Sequence, residues 1–205
     1  MHALIMAGGE GSRIHLGEKP LVLVCGRPMI AYITDAFTGA GIDPVVAASP
    51  KTPMTMNWCR AQGIDVVRSE GRGYIYDMIE AVKALDDQRP LFICVSDIPC
   101  ITAENIQAIY EGYRVSGKDA CSTWVPVQLV QSFGSTITYQ EQVYGVGACP
   151  SGLNILRGDL IDQPQDELRM VLNEPGLALN VNTREDLAIA EEFLKHKSRA
   201  KSLGI

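Results

Sequence analysis

Hydrophobic positions along this chain recur in two rhythms, and for the first half of the molecule the rhythms alternate. Residues 3–6 form a short apolar run closed by Gly8 and Gly9, the pattern of a buried strand. Over 28–37, Met29, Ile30, Ile33 and Phe37 fall at helical spacing, with Pro28 suited to a first turn. Residues 44–48 read as the next strand, 54–61 as a weak helix and 64–67 as a further strand. The clearest helix of the middle region covers 74–85, where Ile75, Met78, Ile79, Val82 and Leu85 share one face. Five apolar residues in succession over 91–95 mark a central strand buried on both faces. A helix then starts at Thr102, with Ile106, Ile109, Tyr110 and Tyr113 turned inward.

Strand and helix in this order predict an α/β fold of three layers, with right-handed crossovers and a mainly parallel, Rossmann-like sheet. Ligands of such sheets bind outside the carboxyl ends of the strands. The segments 8–13 and 71–73, together with Asp97, all follow predicted strands, so the topology brings them to one edge. From about residue 120 the alternation loosens into shorter strands at 120–127, 135–139 and 152–156 without clear helices. This reads as a β-rich portion, inserted or appended, that covers one side of that edge. The last helix is well marked: Thr183 with Asp186 resembles a capping box, and Leu187, Ile189, Ala190, Phe193 and Leu194 follow.

Composition narrows the function. The 205 residues suffice for one substantial core, so a single domain is expected over 1–205. No apolar run approaches the roughly 20 residues of a membrane span. The first residues lack the basic and small-residue features of a signal peptide, and a cytoplasmic location is expected. The net charge of −6 argues against a nucleic-acid partner. The late basic residues, from Lys195 on, complement the end of a helix. The six cysteines show no C-x-x-C or zinc-ribbon spacing, and His2, His15 and His196 are too scattered for a metal cluster or a triad.

The candidate chemistry starts directly after the first strand, in Leu4-Ile-Met-Ala-Gly-Gly-Glu-Gly-Ser-Arg13. Glycines here let the backbone approach a ligand and turn its amides toward phosphate oxygens. Ala7, Gly8, Gly9, Gly11, Ser12, Arg13 and Lys19 are therefore the candidate triphosphate grip. A mobile lysine and a planar guanidinium could both follow charge onto a leaving pyrophosphate. The third glycine of a dinucleotide fingerprint is missing, since Ile14 stands in its place, and Glu18-Lys19-Pro20 does not complete a Walker A loop. Asp97 ends the central strand, where a carboxylate can bind Mg²⁺ shared with phosphate or simply form a turn.

The string Leu-x-x-Ala-Gly-Gly-x-Gly-Ser-Arg followed by Glu-Lys-Pro-Leu resembles the signature of the nucleotidyltransferase superfamily that includes sugar-phosphate and molybdenum cofactor transferases. That resemblance implies a sheet of the nucleotidyltransferase type. It implies that Arg13 and Lys19 stabilise the transferring phosphate and that Asp97 holds the metal, making these three the catalytic candidates. Asn180-Val-Asn182-Thr-Arg-Glu-Asp-Leu187 is similar to the end of the molybdenum cofactor enzymes, which implies Asn182 as a second metal-side oxygen; starting the helix is its other reading.

Further blocks, at 71–77 (Gly71, Arg72, Gly73, Tyr74, Ile75 and Asp77), at Ser-Pro-Lys-Thr-Pro53 and at Ser151-Gly-Leu-Asn154, resemble the archaeal GTP:adenosylcobinamide-phosphate guanylyltransferases. The implied reaction moves GMP from GTP to a phosphorylated corrinoid, with Mg²⁺ as cofactor and pyrophosphate as the second product. Residues 1–117 would then be the nucleotide-binding half and 118–205 the acceptor-side half. Backbone amides around Gly71 and Gly73 could read a base or hold an anion, with Tyr74 beside them. Asp77 is a candidate for guanine or ribose contacts, or else a first-turn helix carboxylate. Gly152 and Asn154 would face the acceptor, unless they are a strand-entry glycine and a turn asparagine. A molybdenum cofactor guanylyltransferase, a sugar-phosphate nucleotidyltransferase and a non-catalytic nucleotide sensor are the competing readings. The oligomeric state stays open, a homodimer included.

Overall fold

The computed structural model describes residues 1–9 and 16–202. Its centre is an eight-stranded sheet built around β1 (His2–Met6) and β6 (Pro90–Val95). β4 (Asp43–Ala48) lies beside β1, and β5 (Asp65–Arg68) closes that edge. On the other side of β6 come β9 (Val146–Arg157), β7 (Ala120–Pro126) and β10 (Glu167–Val171), with β8 (Glu141–Val143) paired to β9. β1 is parallel to both β4 and β6, β4 to β5, and β7 to β10; β9 runs antiparallel to its three neighbours.

The chain steps outward from β1 to β4 and β5, then returns to pair β6 on the opposite side of β1. This reversal creates a switch point between β1 and β6, where their carboxyl ends leave a crevice. The crossing helices follow from it. α1 (Met29–Gly39), α2 (Pro53–Ala61) and α4 (Ala103–Ser116) cover one face, and α3 (Tyr74–Leu85) covers the other.

Side-chain alternation decides the two cores. Ile5, Val46, Phe92 and Cys94 point to the face of α1, α2 and α4, while Leu4, Met6, Val45, Leu91 and Ile93 point to α3. Phe37 and Phe92 pack ring to ring at 5.5 Å between centroids. Each fully buried side chain of this size contributes about 1.5–3 kcal/mol, so a charge introduced at Ile93 would disrupt the core under α3. A third cluster joins a small ribbon, β2 (Leu23–Val24) with β3 (Arg27–Pro28), to the last helix, α7 (Arg184–Ser202), through Val24, Met29, Val181 and Ala190.

The helices and strands of the first half stand within a residue or two of the expected bounds. Apart from the small β2–β3 ribbon, which was not expected, the departures lie after residue 120. The β-rich portion is neither inserted nor appended, because β7, β9 and β10 extend the central sheet. Residues 135–139 form no strand, although Thr and Ile suit one. Two short helices, α5 (Val127–Ser132) and α6 (Pro175–Ala178), stand where none was expected. No helix among the described residues is long and apolar enough to cross a membrane.

Candidate active site

A cavity of about 460 Å³ opens at the switch point, bordered by Gly8, Gly9, Lys19, Gly71, Asp97 and Asn182 among others. Its back is the end of β1. Ala7 donates its amide to Ala47 O at 2.8 Å and is buried, while Met6, Gly8 and Gly9 on either side of it line the cavity. Ser49, at the end of β4, donates its hydroxyl to Gly8 O at 2.7 Å. A Cβ on Gly8 would lie 3.2 Å from Ser49 Cβ, a tight contact that glycine avoids. Gly11, Ser12 and Arg13 lie outside the described residues.

Lys19 opens a short 3₁₀ turn, Lys19–Leu21, and reaches back over the strand ends. Its ammonium lies 2.5 Å from Asp97 Oδ2 and 2.8 Å from Asn182 Oδ1. Three widely separated residues thus meet at one point. Backbone explains how: Val181 N–H donates to Asp97 O at 2.8 Å, which docks the start of the last helix onto the end of β6. The expected capping box is present. Asp186 accepts the amides of Asn182 and Thr183 at 3.0 and 2.9 Å, and Thr183 Oγ1 accepts the Asp186 amide at 3.1 Å. The Asn182 side-chain nitrogen donates to Asn180 Oδ1 at 2.6 Å, which turns the amide oxygen toward Lys19. Asn182 therefore both precedes the helix and faces the cavity.

Asp97 keeps one oxygen free of protein partners. Oδ1 is buried and accepts no hydrogen bond, while the side chain as a whole is 16% exposed. No group of three or more His, Cys, Asp or Glu among the described residues is arranged to hold a metal. The chemistry of this point is oxygen only. Cys94, on β6 behind it, is fully buried; burial first and Asp97 second push its thiol well above the usual range, so it stays protonated. The Tyr74 hydroxyl is pushed up to about 12, by loss of solvent first and then by Cys94 and Asp97, although the residue overall is 43% exposed. It remains a hydrogen-bond donor at the cavity.

The far wall is the loop before α3. Asp77 is buried, and its Oδ1 accepts the amides of Gly71 and Arg72, both at 3.0 Å. Those two amides are thus spent on the protein itself, which narrows the expectation that the loop's backbone reads a ligand. Gly73, Tyr74 and Asp77 still line the cavity. Lys51 and Ser96 also line it, and neither had been singled out as a site residue from the sequence. Lys51 lies in the Ser-Pro-Lys-Thr-Pro block, but a lone lysine beside prolines carries no signal of its own.

A second cavity, of about 200 Å³, meets the first at Asn182. Apolar Val130, Leu177 and Ala178 share its walls with Ser135, Thr138 and Asn180. Gly152 and Asn154 line neither cavity. Asn154 sits inside β9, paired across to Ile93 and Ser122. Gly152, with φ +83°, stands where a side chain would strike Val95, a residue that does line the first cavity. Its neighbour Ser151 joins Thr123 and faces the second cavity.

This geometry has relatives. Residues 3–149 match the MobA-like NTP transferase domain. The chain is 30% identical over 206 aligned positions to the adenosylcobinamide-phosphate guanylyltransferase of Methanocaldococcus jannaschii, covering 95% of this chain and 98% of that protein. Among solved structures, a hypothetical transferase from Thermus thermophilus superposes with a TM-score of 0.69 at 17% identity, covering 91% of this chain and all of the other. The molybdopterin-guanine dinucleotide biosynthesis protein A of Archaeoglobus fulgidus gives 0.68 at 16%, covering 96% of this chain and all of that one. These two likenesses carry the fold, a mixed α/β architecture on a mainly parallel sheet. With the domain matched over most of its length and a relative aligned almost end to end, the chain belongs to the MobA-like NTP transferase family and is a nucleotidyltransferase.

Proposed function

We propose that the chain transfers GMP from GTP to adenosylcobinamide phosphate, forming adenosylcobinamide-GDP and releasing pyrophosphate. The observation that carries this reading is the near full-length match to a guanylyltransferase named for that acceptor. The site supports it chemically. The acceptor's phosphate oxygen attacks the α-phosphorus of GTP in line; a new P–O–P bond forms, and the bond to the β-phosphate breaks with its electron pair leaving on pyrophosphate. The acceptor phosphate is already ionised, so the reaction needs neither a protein nucleophile nor a general base.

Members of this family use a divalent cation, and the residues here fit Mg²⁺. The unpartnered Asp97 Oδ1 and the Asn182 amide oxygen are hard donors on one side of a shared cavity, and Mg²⁺ is commonly held by one or two such groups plus substrate phosphates. Bound there, the ion would withdraw charge from the phosphate oxygens as the bond breaks. Lys19 supplies a mobile positive charge at the same point, and Gly8 and Gly9 let the chain lie close to the phosphates. Arg13 is assigned to the leaving pyrophosphate on the strength of the loop motif alone. The first cavity takes the nucleotide and the second takes the acceptor, with Asn182 where they meet. The mixed lining of the second cavity, apolar walls with hydroxyls and an amide, suits a corrinoid rimmed with amide groups. Gly152 then serves the site by leaving room for Val95, and Asn154 by holding the sheet.

The test is direct. Purified protein is incubated with GTP and Mg²⁺ and, separately, adenosylcobinamide phosphate, molybdopterin and a panel of sugar 1-phosphates, while pyrophosphate is measured. Release with adenosylcobinamide phosphate is expected. Release only with a different acceptor would overturn the assignment.

A further inference from the structure

The cations around the first cavity are not equivalent. Lys19 is paired with Asp97 and Asn182. Lys51 lines the same cavity, is exposed, and among the described residues its ammonium makes no ion pair or hydrogen bond. Of the two carboxylates on the cavity wall, Asp97 is paired with Lys19 and Asp77 is turned to the amides of Gly71 and Arg72.

Lys51 is also held with care. The turn that carries it rests on Ser49 and Thr52, both completely buried. Thr52 N–H donates to Ser49 O at 3.0 Å, and Ser49 Oγ accepts the Lys51 amide at 3.2 Å while donating to Gly8 O. Just beyond, Glu18 fastens the first turn of α2 by accepting the Met54 and Thr55 amides at 2.8 and 2.6 Å and the Thr55 hydroxyl at 2.6 Å. The turn is therefore tied to the glycine loop on one side and to the segment before Lys19 on the other. Its side chain runs past the opposite wall: a Cβ on Gly71 would lie 3.7 Å from Lys51 Cε.

Position along the sheet edge says which part of a nucleotide Lys51 meets. Asp97 follows β6, the glycine loop follows β1, and Lys51 follows β4, in that spatial order. Two strand spacings, about 10 Å, separate the ends of β6 and β4. That is comparable with the reach from an α-phosphorus to the far edge of its base. With the reacting phosphorus at Asp97 and the pyrophosphate on the glycine loop, the β4 end of the cavity is left for the base.

An ammonium there donates hydrogen bonds and accepts none. Guanine offers it two acceptors on one edge, O6 and N7; adenine offers N7 beside an amino group that is itself a donor. We propose that Lys51 reads the O6/N7 edge of the base and is the residue that selects guanine over adenine. This rests on the nucleotide reading of the first cavity, and it adds the source of the base preference.

Calorimetric titration of the wild type, Lys51→Met and Lys51→Arg with GTP, ITP and ATP in the presence of Mg²⁺ tests it. ITP keeps O6 and N7 but lacks the 2-amino group. The wild type should favour GTP and ITP over ATP. Lys51→Met should lose about tenfold or more for GTP and ITP while ATP changes by less than about twofold, and Lys51→Arg should retain the preference. Loss of affinity for all three nucleotides alike would make Lys51 a phosphate contact and overturn the proposal, as would unchanged GTP binding in Lys51→Met. Failure of the wild type to bind any of the three would instead sink the nucleotide reading of the cavity, and the proposal with it. Because Lys51 is exposed, matching thermal unfolding of the three proteins separates a binding effect from a folding one.

Discussion

Gly152→Ala probes whether this glycine serves the fold or a ligand. The residue has φ +83°, and the added methyl would strike the Val95 side chain. The left-handed backbone costs alanine about 1–2 kcal/mol, and forcing a methyl into a packed contact costs about 1–3 kcal/mol. Alanine's smaller unfolded-state entropy returns about 0.4–1 kcal/mol. The net expectation is a loss of about 1–5 kcal/mol. In urea, at an m-value of about 2–3 kcal/mol/M, the midpoint should fall by about 0.3–2.5 M with m unchanged. A cycle with Val95→Ala isolates the cause: removing the valine methyls should recover the packing part of the loss and leave the backbone part. A loss below about 0.5 kcal/mol would refute the reasoning. So would a loss of the same size in the Val95→Ala background, because the clash would then not be what alanine meets. Since Val95 lines the first cavity, the variant should also weaken nucleotide binding, whereas an acceptor-contacting Gly152 would leave it untouched.

Asp97→Asn should leave the chain folded and lower the rate of pyrophosphate release by about a hundredfold or more, because it removes a charge that acts on the transferring phosphate; turnover within about threefold of wild type would exclude Asp97 from the chemistry. Asp186→Ala should cost about 1–2 kcal/mol by stripping the cap of α7 and should speed hydrogen exchange at the Asn182 and Thr183 amides; unchanged exchange there would show that the cap does not hold Asn182. Asp87, at the opposite end of the sheet, accepts hydrogen bonds from the Arg89 side chain and amide and contacts His2 at 2.6 Å. The Arg89 side chain chiefly, against the opposing effect of burial, holds its carboxyl well below the usual carboxylate range. A carboxyl lowered by folding contributes stability that is complete above about pH 4 and is lost as the pH falls through the acid range. Asp87→Asn should therefore be less stable than wild type at pH 7 and should approach it in acid; a constant difference from pH 7 to pH 2.5 would contradict this.

The alternation of the first half could be read because each element there is long and has its own period. Residues 74–85 show this well: Met78 and Val82 are buried as the spacing requires, and α3 begins and ends where expected. Ile75, placed on the same face, is 58% exposed, since the first turn of α3 extends past the edge of the sheet to the mouth of the cavity. The second half was harder for a physical reason. β9 is antiparallel and shared among three neighbours, so its pairing depends on partners far away in the chain, and helices of four or six residues leave too few positions for a period to show. At the site, glycines after a strand and a carboxylate after another were legible because topology alone sends both to the switch point. Asn154 lies inside β9 away from both cavities, a placement that depends on sheet partners the local sequence does not show. Lys51 stands in the Ser-Pro-Lys-Thr-Pro53 block, but the block does not single out its lysine, since what distinguishes that side chain is the missing carboxylate partner.

The division of labour between backbone and side chains explains how the site can exchange charges without loosening the fold. The end of β6 and the start of α7 are joined by Val181 N–H and Asp97 O, and the turn before α7 is closed by the Asp186 carboxylate. Neither link uses the Asp97 carboxylate or the Lys19 ammonium. The ion pair at 2.5 Å is therefore not what docks the two halves; it keeps a carboxylate with 16% exposure from standing alone, a state that costs several kcal/mol when an ion is withdrawn from water without a partner. For Lys19 to turn to phosphate oxygens, Asp97 would need another cationic partner, and its free Oδ1 together with the Asn182 oxygen would hold a divalent ion there. Backbone holds the position, and the side chains are left free to change partners.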